Sequence, residues 1–319
     1  MADYINIRGQ SIEVVASDPA NPTLGQIWYN STSNTLKGQV FQLAAWATGN
    51  NMNTARSYLG SAGVTNAAIG FGGSIPPNSA ATEAYDGSTW TSGGSMPVAI
   101  REQGYSGTET AALSIGGYTT TIVGTTYEYD GSTWTTGGSL GTTRRDSAAA
   151  GTQTASYTTT GGSLNNTEHY NGTSWTAATV YPTAGEYLMS TGILTAGLTF
   201  GGATPGGLTN VTNEYNGSSW TAGGNLPTPV SGLGGSGTQT ATLAYGGSAP
   251  SYTTATSLYD GTSWASVPTS LTTARTQLGS TTTSSTAALA FGGLTPSGAS
   301  NATEIYTDAG PATVTITAS

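Results

Sequence analysis

Phe71-Gly72-Gly73, followed by Tyr85-Asp86-Gly87-Ser88-Thr89-Trp90, forms the stretch 71–90, and each of its marks returns along the chain. Trp stands at 46, 90, 134, 175, 220 and 264, at spacings of 44, 44, 41, 45 and 44. Diglycines begin at Gly72, Gly116, Gly161, Gly201, Gly246 and Gly292. A tyrosine follows each of them, at Tyr85, Tyr129, Tyr170, Tyr215, Tyr259 and Tyr306. Three marks agree on six units, and self-similarity at this period signals a repeat architecture.

Each unit reads as four short strands. In the second, strand a is expected over Arg101 to Ser106, b over Thr110 to Ile115, c over Thr125 to Tyr129, and d from Trp134 to Thr136. Asp86-Gly87, Asp130-Gly131, Asn171-Gly172, Asn216-Gly217 and Asp260-Gly261 are hairpin signals, because Gly and Asn/Asp tolerate the positive φ such turns need. No segment carries a capped 3.6-residue apolar period, so essentially no helix is expected. Four strands per repeat of this length describe a β-propeller blade. The fold expected is all-β, a six-bladed propeller. Trp46 precedes any diglycine and Tyr306 has no Trp after it, so the strand around Phe41 to Thr48 is expected to complete the last blade.

A diglycine closing strand b, a Tyr about a dozen residues on and a Trp after a short turn resemble the kelch repeat, over residues 39–306. Galactose-oxidase-like kelch enzymes use a Tyr–Cys cofactor and His ligands to copper. This chain has no Cys and a single His169, so that resemblance implies no such chemistry here.

Only 7% of the 319 residues are charged, the net charge is −9, and Arg144-Arg145 is the only adjacent cationic pair. That excludes a basic stripe, and no nucleic-acid partner is expected. Without Cys there are no disulfides or thiolate metal sites; no cofactor and no metal are expected. Residues 1–8 lack an apolar signal core and no long apolar run follows, so no membrane insertion is expected.

Repeated residues read as scaffold. The Trp and Tyr series fit packing between blades, and Arg56, Arg101, Arg144 and Arg275 near strand a are expected to pair with nearby Glu or carbonyls. Glu83, Glu128, Glu168, Glu214 and Glu304 sit one or two residues before the Tyr and look like blade structure. A carboxylate pair for glycoside hydrolysis would have to break the repeat, and none stands out, so no catalytic residue is assigned. The b–c connections, in contrast, vary in length and content, and function favours variable loops on a rigid scaffold. Tyr118, Tyr181 and Tyr252 are the aromatic residues expected on that loop face as ligand-binding positions.

Residues 1–38 lie outside the repeat, as does the tail 307–319, whose Val314-Thr315-Ile316 alternates as an edge strand would. A hairpin turning near Thr32 to Asn34 is expected in the first of these. The run Asp18-Pro19, Asn21-Pro22, then Gly25-Gln26-Ile27-Trp28-Tyr29-Asn30-Ser31-Thr32-Ser33 and Thr35-Leu36-Lys37-Gly38, resembles a segment of tailed-bacteriophage virion proteins, especially tail fibres and appendages. The resemblance implies a non-enzymatic virion protein, assembled in the host cytoplasm and present in multiple copies per particle. It implies contacts with other virion proteins through 1–38, with Ile5, Ile7, Trp28 and Tyr29 as anchoring residues, and a propeller displayed toward a host-surface glycan or neighbouring proteins. A head decoration or tail-nozzle component without a receptor role, and a polysaccharide-active or carbohydrate-binding propeller, are the alternatives.

Overall fold

A computed structural model describes residues 12–281 and 283–316. The chain divides into two compact units, between Ala45 and Trp46 and again between Thr307 and Asp308. The repeat marks alone place these boundaries at 38/39 and 306/307.

In the smaller unit, Glu13–Val15, Ile27–Asn30, Thr35–Gln42 and Gly310–Thr315 form one sheet in that order. The hairpin turns over 31–34, as its sequence suggested, with Asn34 at φ 54. Asp18 organises the unit. Its carboxylate accepts from Trp28 Nε1 (3.0 Å), Asn30 Nδ2 (2.7 Å) and Lys37 Nζ (2.7 Å). The Lys37 bond foremost, then those from Asn30 and Trp28, hold its pKa down at about 2. Trp28 is fully buried, so its ring is not available to another protein as anticipated; Tyr29 is half-buried and donates to Asn34 Oδ1 (3.2 Å). Ile5 and Ile7 lie outside the described residues.

The larger unit contains, among the described residues, six four-stranded antiparallel sheets and no helix. The second is typical, with strands Gly104–Thr108, Ala111–Tyr118, Ile122–Tyr129 and Trp134–Thr136 in spatial order. Strands a and b thus begin later than expected, while d starts at its Trp. The fourth strand of the sixth sheet is Ala45–Gly49, beside Thr303–Thr307. Phe41 does not belong to it. Thr35–Gln42 pairs instead with the C-terminal strand, and only the part from Ala45 onward reaches the sixth sheet.

Strand b is covered on both faces, which explains its continuous apolar runs such as Ala67–Phe71 and Ala287–Phe291. Strand a is built of small residues because the aromatic ring ending strand b lies over it: a Cβ on Gly60 would stand 2.2 Å from Phe71.

The diglycines do a different job. Their left-handed φ turns the second amide toward the next sheet: Gly73 N donates to Ile100 O (2.7 Å), Gly117 to Arg144 (2.8 Å), Gly202 to Val230 (2.7 Å), Gly247 to Arg275 (2.8 Å) and Gly293 to Arg56 (2.9 Å). In the third sheet the pair in register is Thr160-Gly161, not Gly161-Gly162; Thr160 takes φ 59 and Gly161 N donates to Gly185 O (2.7 Å). Each strand-d Trp spans the same boundary outside. Trp90, Trp134, Trp175 and Trp264 donate from Nε1 to Thr303, Thr82, Thr126 and Thr212, and Trp46 donates to Thr256.

Candidate functional site

Three arginines carry an identical set of bonds. Arg56, Arg144 and Arg275 are buried, each with Nη2 on a glutamate two residues before the repeat tyrosine: Glu83 (2.8 Å), Glu168 (2.6 Å) and Glu304 (2.6 Å). Each also gives Nη1 to two carbonyls of its own sheet. In the other three sheets the equivalent positions hold Ile100 with Tyr127, Gly185 with Asn213, and Val230 with Ser257. Charge is present on both partners or on neither, as a buried ion pair demands.

The glutamates one residue before the tyrosine form a second class. Strand alternation turns them to the opposite face. Glu128 accepts from Tyr170 of the next sheet, and Glu214 from Tyr259 (2.7 Å). His169 stands at the same place, 2.7 Å from Tyr215 Oη, and burial lowers its pKa. The arginine–glutamate pairs brace single sheets, and the tyrosine bonds join neighbouring ones. Chemistry must come from elsewhere.

Arg101 is where the series breaks. Ile100 occupies the place expected for it, so Arg101 lies one residue later, in the register of Arg145. The next position holds Tyr58, Glu102, Asp146, Tyr187, Gly232 and Gln277, all in left-handed conformation, φ 52 to 61. Their amides form a closed ring. Glu102 N donates to Tyr58 O, Asp146 to Glu102, Tyr187 to Asp146, Gly232 to Tyr187, Gln277 to Gly232 and Tyr58 to Gln277, at 2.7 to 3.1 Å. Left-handed backbone at five non-glycine residues is costly and is held only where the surroundings enforce it.

Side chains of this ring, with Gln103 and Tyr105 behind it, line a small cavity of about 50 Å³. Arg101 Nε and Arg145 Nη1 stand 2.9 and 3.1 Å from the two oxygens of buried Glu102. Both guanidiniums lie over Tyr118, at 5.0 and 5.7 Å from its ring centre, within cation–π reach. Arg101 and Tyr118 face a second, wider groove of about 510 Å³ with Pro77, Asn78, Val98 and Thr119. Asp146 is buried, and desolvation first, then the charge of Glu102, pushes its pKa up to about 8; Arg145 opposes the shift.

Of the aromatic residues expected on the loop face, Tyr118 lines the groove and Tyr252 is half-buried, near enough to Tyr58 to influence it. Tyr181 is not a surface residue. It is buried, packs edge-on against Trp220 (4.9 Å) and accepts from Asn213 Nδ2 (2.8 Å). It fills the boundary where Trp220 lacks the usual threonine bond and donates to Thr179 O instead. Glu102, Gln103 and Asp146 carry no mark in the repeat, and comparing the residues just after Arg56 and its equivalents is what reveals them as departures.

No protein-family model matches this chain, and no curated protein matches it. Among solved structures, one described as "Structure of YjhT" is similar, with a TM-score of 0.69 at 13% identity, covering 82% of this chain and 99% of that one. The likeness is one of fold. It agrees with an all-β, β-propeller-like architecture.

Proposed function

We propose that the chain is a non-enzymatic structural protein of a tailed phage particle, with a six-bladed kelch-like propeller closed by Ala45–Gly49 and displayed for host-surface glycan recognition. The six sheets, the returning ring of amide bonds and the Trp46–Thr256 bond support the blade count and the closure. The smaller unit is the anchor to neighbouring virion proteins. One observation carries this reading: nine of the sixteen exposed large apolar side chains belong to the small unit, Val14, Leu24, Phe41 and Leu43 most strongly among them. Exposed apolar side chains gathered in this way mark interaction surfaces. The groove beside Tyr118 is the glycan-facing site, offering an aromatic face and a guanidinium.

The test is incorporation. Phe41→Ser with Leu43→Ser should remove the protein from purified particles while its unfolding midpoint stays put. Unchanged incorporation sinks the anchor. A second reading, a polysaccharide-active enzyme, is favoured by the raised pKa of Asp146 beside Glu102. Degradation of host polysaccharide that Asp146→Asn abolishes would establish it over the first.

A further inference from the structure

Two buried acceptors in the ring cavity lack partners. Gln103 is 5% exposed; its Nε2 donates to Phe71 O at 3.1 Å, which fixes the amide orientation and leaves Oε1 with no hydrogen bond. Asp146, with its side chain 2% exposed, has no hydrogen bond to Oδ2, the nearest cation being Arg145 Nε at 3.7 Å. Both residues line the same cavity. A buried acceptor left without a donor is unfavourable, so a site holding two of them favours an occupant that donates.

The charges indicate which donor. Glu102 and Glu186 both act on Asp146, opposed by Arg145, while Arg101 and Arg145 pair with Glu102. With every carboxyl ionised the site is one positive charge short. An ammonium suits this site because it carries one positive charge and several N–H donors, which match the charge deficit and the two unpaired oxygens. About 50 Å³ admits a small head group, since one water-sized sphere needs only about 10–15 Å³. Tyr58 and Tyr187 supply aromatic walls.

We propose that the ring cavity is a binding site for a primary ammonium group, which donates to Gln103 Oε1 and Asp146 Oδ2. The site is separate from the groove beside Tyr118 and does not depend on glycan recognition there. Without the cation, burial, Glu102 and Glu186 keep Asp146 protonated, against the pull of Arg145 and a hydrogen bond from Tyr187. The bound ammonium restores the carboxylate, and the proton leaves to solvent. Binding therefore releases about one proton below pH 8 and tightens about tenfold per pH unit up to that point.

Isothermal titration of the full chain with methylammonium chloride, in two buffers of different ionisation enthalpy, reads both quantities. Methanol and sodium chloride serve as the neutral and the spherical-cation controls. Glucosamine and Nα-acetyl-lysine amide, run as further arms, distinguish an amino sugar from a peptide as the natural source. Saturable methylammonium binding with proton release, weaker by at least tenfold in Gln103→Met and stripped of its pH dependence in Asp146→Asn, is expected. Both variants are checked for an unchanged near-ultraviolet circular dichroism spectrum. Binding that releases no proton, that methanol or sodium reproduces, or that Asp146→Asn leaves unaltered overturns the proposal, as does no binding at all.

Discussion

Trp46 Nε1 donates to Thr256 Oγ1 at 3.0 Å across 210 positions of sequence, and its ring packs against Tyr306 (5.4 Å) and Tyr245 (4.8 Å). The same indole–threonine bond links four other sheet boundaries, among them Trp90 to Thr303 between the first and sixth sheets, so the start of the larger unit is held to its fifth sheet by the contact that recurs between the others.

Trp46→Phe keeps most of the packing and loses the bond, at a cost of about 1 kcal/mol. Trp46→Ala leaves a cavity and costs about 3–5 kcal/mol. Urea denaturation measures both. An alanine variant as stable as the phenylalanine variant would mean that the Trp46 packing contributes little.

The paired variation of arginine and glutamate leads to a rescue experiment. Glu168→Gln strands the Arg144 guanidinium in the interior and costs about 3–5 kcal/mol. Arg144→Ile with Glu168→Tyr, which copies Ile100 and Tyr127 of the second sheet, costs less than either single change. A double-mutant cycle on unfolding free energies reads the coupling.

Asp146 gives the fold a pH dependence of definite sign. Its folded pKa, about 8, lies above that of the unfolded chain, so the folded state holds more protons between about pH 4 and 8. Stability from this group is fully present below about pH 4 and is lost as pH rises through 8. Asp146→Asn should flatten that slope and gain about 2–4 kcal/mol at pH 8. Unfolding midpoints from pH 5 to 8 decide it.

Tyr118 and Tyr181 separate by role. Tyr118→Ala should abolish adhesion to host cells at a stability cost of about 1–2 kcal/mol from its two lost cation–π contacts, whereas Tyr181→Phe, which forfeits the bond to Asn213, should cost about 1 kcal/mol and leave adhesion intact. Pull-down on host cells and thermal melts distinguish them.

The large marks were legible because each answers one demand at a sheet boundary: an indole reaching a threonine, or a left-handed glycine aiming its amide sideways. Where the chain has no such mark, the reading slips by a residue. Arg101 resembles Arg56 in sequence, yet Ile100 fills the equivalent place, and Thr160 substitutes for a glycine that the diglycine pattern placed one position later. Tyr181 looked like a loop aromatic because nothing in sequence tells that Trp220 lacks its threonine bond and needs another neighbour. Phe41 stands close enough before Trp46 to be counted with its strand, but the chain passes from one unit to the other between them. Glu102 and Asp146 were hidden for a further reason: the stacking of the third sheet on the second brings together residues of successive repeats that share no motif.

Electron cryo-microscopy of purified particles shows directly whether the protein is a virion component. A six-bladed density on the particle is expected, with Phe41 and Leu43 covered by another virion protein and Tyr118 open to solvent. Absence of the chain from purified particles, or attachment through the Tyr118 face with Phe41 in solvent, would contradict this expectation.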